Sequence, residues 1–166
     1  MAKSTKGPFT ISRTFNAPGE VVWKALTTED ELKQWFGPKG MTTSYAKLDL
    51  RPGGLYHYCL SGPNGAEVWG RWLIREVVPP ERLVVISSFS NKDGEVSTHP
   101  MAPTWPRQTL STTTLTESGG KTTMHLQWEA HEATDLEQIT FDAGHESMTQ
   151  GWGGTMDRLE EYLANR

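Results

Sequence analysis

The chain has 166 residues, a net charge of -4 at neutral pH and a pI near 5.7, with acids and bases interspersed along it. That length suits one domain with a substantial core, and the charge pattern lacks the basic stripe of a nucleic-acid binder. There is no apolar signal core and no run of about 18 apolar residues, so the sequence reads as cytoplasmic, without stable membrane insertion. The single cysteine, Cys59, excludes an internal disulfide and a cysteine-built metal site, whereas seven tryptophans make an unusual load.

Residues 1–8 are expected to form a flexible N-terminus ahead of a single domain, 9–166. Phe9, Ile11, Arg13 and Phe15 alternate with Thr10, Ser12 and Thr14, the pattern of a half-buried strand. Pro18 suits a first helical position, and Val21, Val22, Ala25 and Leu26 give the following helix an apolar stripe. A second short helix has Thr28 as its candidate N-cap and ends at Gly37-Pro38. From residue 41 to about 130 the turn signals and β-branched residues predict antiparallel strands near 41–50, 53–61, 67–78, 82–90, 107–117 and 121–130. Asn64-Gly65 and Gly119-Gly120 are hairpin signals, because these residues accept positive φ at little cost. In the last strand Met124, Leu126, Trp128 and Ala130 face a core, and Thr123, His125, Gln127 and Glu129 face water.

Residues 91–106 form a long proline-rich loop carrying Trp105, read either as a surface excursion pinned by that ring or as a lid over a pocket. Thr134 and Glu137 have the spacing of a capping box, so a helix begins there. Residues 141–144 interrupt it, and a second helix of about 20 residues follows, with Met148, Trp152, Met156, Leu159 and Leu163 on one face. Gly151, Gly153 and Gly154 in that helix each cost about 1 kcal/mol relative to alanine. They predict either close packing of the helix on the sheet or room left beside it for a cavity.

Four stretches, ISRTFNAPGEVVWKALTTEDELKQWFGP, RPGGLYHY, GRWLIREVVPPERLVVISSFS and SMTQGWGGTMDRLEEYL, resemble the bacterial branch of the Hsp90-ATPase-activator homologue family. That branch lies in the START-like, or Bet v 1-like (SRPBCC), superfamily. The resemblance implies an α+β helix-grip fold: a curved seven-stranded antiparallel sheet around a long C-terminal helix, two short helices after the first strand, and a hydrophobic cavity between sheet and helix. The superfamily includes lipid carriers, hormone receptors, polyketide cyclases and co-chaperone domains, so fold alone does not choose the function.

No catalytic constellation is evident, and no cofactor or metal is expected. His131-Glu132 and His145-Glu146 do not continue to a pattern placing two histidines on one helix face, and no phosphate loop, nucleophile elbow or dinucleotide fingerprint occurs. Arg13 falls on the apolar face of its strand and requires a partner: a carboxylate of the protein, or that of a ligand. Arg71, alternating with Trp69 and Leu73, poses the same question. Tyr58, Trp69, Phe89, Trp105, Trp128 and Trp152, from separate elements, are candidates to surround a cavity, joined by Met148; each is equally readable as ordinary core. The expected function is binding of a hydrophobic or aromatic small molecule. The alternatives are a cyclase- or hydrolase-type enzyme using the same cavity, and a chaperone-associated interaction protein. The oligomeric state, monomer or homodimer, stays open.

Overall fold

The structure is a computed structural model that describes residues 7–99 and 102–166. The expectation of a flexible N-terminus therefore lies, for residues 1–6, outside the described residues. Strand β1 (Phe9–Phe15) leads to helices α1 (Gly19–Thr27) and α2 (Glu29–Trp35), then to β2 (Thr42–Leu48), β3 (Leu55–Ser61), β4 (Glu67–Val78) and β5 (Arg82–Ser90). The two-residue strand β6 (Val96–Ser97), β7 (Gln108–Ser118), β8 (Lys121–Ala130), α3 (Asp135–Ala143) and α4 (His145–Ala164) complete the chain. Seven strands run antiparallel in the order β1-β8-β7-β5-β4-β3-β2, and β6 is appended to the end of β5.

Local chemistry explains the boundaries. Asn64 and Gly65 both take positive φ, +64° and +77°, as the β3–β4 turn requires, and Gly119 and Gly120 do the same between β7 and β8. Thr134 caps α3 in a complete box, its hydroxyl accepting from the Glu137 amide while the Glu137 carboxylate accepts from its own. Three expectations shift slightly. Pro18 sits at the N-cap of α1 with extended backbone, one residue before the helix. Thr28 occupies the N-cap of α2 but its side chain makes no capping bond. That helix also stops one residue earlier than expected, with Phe36 as its C-cap and Gly37 at φ +108°. The interruption between α3 and α4 is Gly144.

Directly paired residues of antiparallel strands share a face. The register therefore gathers an inner face: Phe9, Ile11, Arg13 and Phe15 opposite Trp128, Leu126, Met124 and Thr122, continued by Leu115, Thr113, Ser111 and Thr109. It runs on through Leu83, Val85, Ser87 and Phe89 to Ile74, Trp72 and Gly70, then to Tyr56 and Tyr58. A bulge between Ile74 and Glu76 resets the alternation of β4. Helix α4 covers this face through Met156 and Leu159, both fully buried, and α2 adds Leu32 and Trp35. Among the described residues no helix is long and apolar enough to cross a membrane.

Candidate functional site: the inner face of the sheet

The inner face is closed at one end and open at the other. Near α1, Phe15, Leu115, Thr122, Met124 and Leu126 are all buried, and the Thr122 hydroxyl donates to the Ala17 carbonyl. Toward the opposite end, Tyr58, Ser87, Phe89, Trp128 and Ala130 project from the same face but are only half-buried. The N-terminal half of α4 lies over this end, where Met148 and Trp152 pack with Phe9 and Trp128. Gly151 is exposed there, and a Cβ added to it or to Gly153 would meet no atom within 4 Å; at Gly154 it would meet only Lys39 Cγ, at 3.9 Å. Close packing of these glycines on the sheet is thereby corrected. The glycines face open space or, at Gly154, the Lys39 side chain.

Aromatic rings form two groups on the inner face. On one side Tyr58 meets Phe36 and Tyr56, each with ring centroids 5.0 Å away, and Trp72 lies 4.7 Å from Tyr56 and 5.4 Å from Phe36. Burial pushes the phenols of Tyr56 and Tyr58 well above the ordinary tyrosine range, so both stay neutral hydrogen-bond donors. On the other side Trp128 and Trp152 meet edge to face at 5.4 Å, beside Met148, Phe9 and Phe141. Trp105 completes this group, 5.9 Å from Phe141 and tight against Gly144, where a Cβ would lie 2.8 Å from its ring. The ring pins the end of the 91–106 loop. Phe89 stands at the open end, 4.7 Å from the His99 ring. Tyr56 Oη and Trp128 Nε1 are buried without a hydrogen-bond partner, as are Ser90 Oγ and His145 Nε2.

Two candidates are corrected by the register. Trp69 pairs with Cys59 and Arg71 with His57, so both project from the outer face, away from Tyr58 and Trp72. Trp69 stacks there with His57 and Tyr45 at 5.1 and 5.5 Å, and Arg71 Nη1 donates to the Gly94 carbonyl at 2.9 Å. The first part of the 91–106 loop consequently packs on the outside of the sheet, where the His57 ring nitrogen Nε2 also meets the Asn91 carbonyl. Cys59 is buried on this face, 3.9 Å from the Ser61 hydroxyl.

Arg13 faces inward and is engaged by the protein itself. Its Nη1 donates to Asp157 Oδ1 at 2.6 Å and its Nη2 to the Gly153 carbonyl at 3.4 Å. Lys39, from the segment after α2, reaches the other oxygen of Asp157 at 3.0 Å. The hydrogen bond from Arg13, supported by that from Lys39, holds the Asp157 carboxyl below the usual carboxylate range. Arg158 fixes the same helix from another side, its Nη1 donating to the carbonyls of Phe36, Gly37, Pro38 and Met41.

The sequence reading missed Tyr56, Trp72 and Phe36, which form the aromatic floor around Tyr58. A signal existed: Tyr56 and Tyr58 are two residues apart on one strand, and Gly70 is two before Trp72 on the next. The register sets Tyr58 against Gly70, and the tyrosine ring occupies the space that a side chain at Gly70 would fill. A separate depression of about 520 Å³ lies at the closed end, bordered by Gly19, Arg82, Thr114 and Glu117. There Glu117 Oε1 accepts from the Gly19 amide at 2.6 Å, so the start of α1 already holds a carboxylate.

An antiparallel sheet closed by a long C-terminal helix, with two helices after its first strand and an aromatic inner face, defines the helix-grip class of START-like, Bet v 1-like proteins. Residues 16–164 match the family described as "Activator of Hsp90 ATPase homolog 1-like protein", and the chain belongs to that family. Its fold is similar to protein NE0264 of Nitrosomonas europaea, at 24% identity and a TM-score of 0.75 over 98% of this chain and 97% of that one. It is also similar to a protein of Arthrobacter aurescens, at 20% identity and a TM-score of 0.80 over 100% and 91%. The AHSA1 protein of Silicibacter pomeroyi gives 17% identity and a TM-score of 0.70 over 95% and 98%. At these identities the likeness is one of fold. No curated protein sequence matches the chain.

Proposed function

We propose that the protein binds an apolar or aromatic small molecule on the open half of the inner face, between the sheet and α4. The observation that carries this reading is a half-covered aromatic surface around Trp128 Nε1, a buried donor that no protein group satisfies; Tyr56 Oη, likewise unpaired, lies in the fully buried floor beside it. Buried polar groups are nearly always paired, and ligand sites combine apolar walls with a few placed polar groups. Burying roughly 300 Å² of ligand at about 25 cal/mol per Å² supplies about 7 kcal/mol before association costs, so binding needs no covalent chemistry.

Native mass spectrometry of gently purified protein, followed by tryptophan-fluorescence titration with fatty acids, sterols and aromatic polyketide-like compounds, tests the proposal. The expected result is a bound mass or saturable quenching that weakens in Trp152→Phe. Silence across the whole panel would sink it.

A second reading, association with a chaperone through the outer surface, draws on the family description and on two exposed apolar residues of α3, Leu136 and Ile139, at 57% and 62% exposure. Cross-linking to an Hsp90 homologue that disappears in Leu136→Ser/Ile139→Ser would support it. Cross-linking unaffected by the pair would remove α3 as the contact.

A further inference from the structure

The lysines and arginines around the inner face are exposed or already partnered, and this constrains the ligand's chemistry. Of the described lysines and arginines, only Arg13, Arg71 and Arg158 are not exposed. Arg71 lies on the outer face against the Gly94 carbonyl, and Arg158 is enclosed by four backbone carbonyls. Arg13 alone faces inward, and its charge is already paired with the Asp157 carboxylate at 2.6 Å, with a longer contact to the Gly153 carbonyl. A ligand carboxylate would have to compete with Asp157 for this guanidinium. What the inner face offers instead is the unpartnered indole N–H of Trp128, with the unpartnered hydroxyl of Tyr56 in the fully buried floor and the unpartnered His145 Nε2 against Phe9.

We propose that the site selects a neutral apolar molecule carrying a hydrogen-bond acceptor such as a ketone, ester or ether oxygen, and discriminates against carboxylates of the same shape. This rests on the ligand-binding reading above. An acceptor satisfies a donor that otherwise stays buried and unbonded, which favours it over a plain hydrocarbon. A carboxylate entering the same place sheds its hydration without gaining a free cation.

Three probes of similar shape separate these terms: 2-acetonaphthone, 2-naphthoate and 2-ethylnaphthalene. They are titrated by calorimetry and by NMR of the indole N–H signals at pH 8, above the ordinary imidazole range. The ketone is expected to bind about 2- to 10-fold more tightly than the hydrocarbon, moving the Trp128 indole proton downfield, and at least about 10-fold more tightly than the carboxylate. Trp128→Phe should bring the ketone-to-hydrocarbon ratio close to one; because it is a ratio within one variant, a general loss of stability does not mimic it. Asp157→Ala removes the carboxylate that pairs with Arg13, and 2-naphthoate should gain about 10-fold against the ketone.

Equal binding of the ketone and naphthoate by the unaltered protein, or of the ketone and the hydrocarbon, overturns the selectivity and leaves ligand binding standing. An unchanged naphthoate-to-ketone ratio in Asp157→Ala overturns the role given to Arg13. Absence of saturable binding by all three overturns this inference together with the function it rests on.

Discussion

Gly70 and Tyr58 show how a single missing side chain shapes the inner face. The tyrosine ring occupies the space beside Gly70, so Gly70→Ala should force the ring or the strand to shift and cost about 1–3 kcal/mol in urea unfolding. Pairing it with Tyr58→Leu should recover much of that loss; a fully additive double variant would mean that the ring is not the obstacle. Asp157 makes a different prediction. Its pKa is depressed in the folded protein, so its contribution is present above the unfolded carboxylate value of about 4 and is lost as pH falls through the lower folded value. The Tm difference between the protein and Asp157→Asn should hold steady from pH 7 to about 5 and shrink below about 4. Arg13 was legible as an inward charge needing a partner, because it interrupts an apolar alternation. Which carboxylate would meet it was not, since Asp157 is 144 residues away and nothing local selects it.

Helix α4 keeps three glycines in its middle turns without close packing in return. At Gly151 no neighbour lies within 4 Å, so Gly151→Ala should stabilise the protein by about 0.4–1 kcal/mol, read as a higher urea midpoint with unchanged slope. Gly144, between α3 and α4, behaves oppositely. There a Cβ meets the ring of Trp105, and Gly144→Ala should lower stability unless Trp105 is cut back as well. The elements themselves were readable: alternation placed β1 and β8, paired turn residues placed two hairpins, and the capping box placed α3. The facing of β4 was not, because aromatic and aliphatic residues occupy both of its sides. Trp69 and Leu73 lie outward and Trp72 and Ile74 inward, so hydrophobicity alone carries no parity. The outer cluster of Tyr45, His57 and Trp69 depends on pairing among three strands, which no single strand encodes.

At the scale of the whole molecule, a ligand seated between sheet and helix binds only the folded chain and must therefore raise Tm. At about 100 times Kd the gain is about 2.7 kcal/mol, and a compound that quenches tryptophan without moving Tm is not bound selectively to the folded chain. The family and architecture were legible because several separated stretches carry them; the ligand was not, because the site is a shared surface of many strands rather than a motif. The same long-range closure also sets an order of manufacture. Strand β1 has its partner in β8, and its Arg13 meets the last helix, so neither contact exists until almost the whole described chain is available. A chain still emerging from the ribosome holds the tyrosines of β3 and Trp72 of β4 without the helix that covers them. Ribosome-bound chains ending before residue 145 should accordingly bind several-fold more of a hydrophobic dye than chains released beyond residue 164, in which only the ligand site is left to take it. For a growing polypeptide, the surface that later receives a guest is for a time its most vulnerable one.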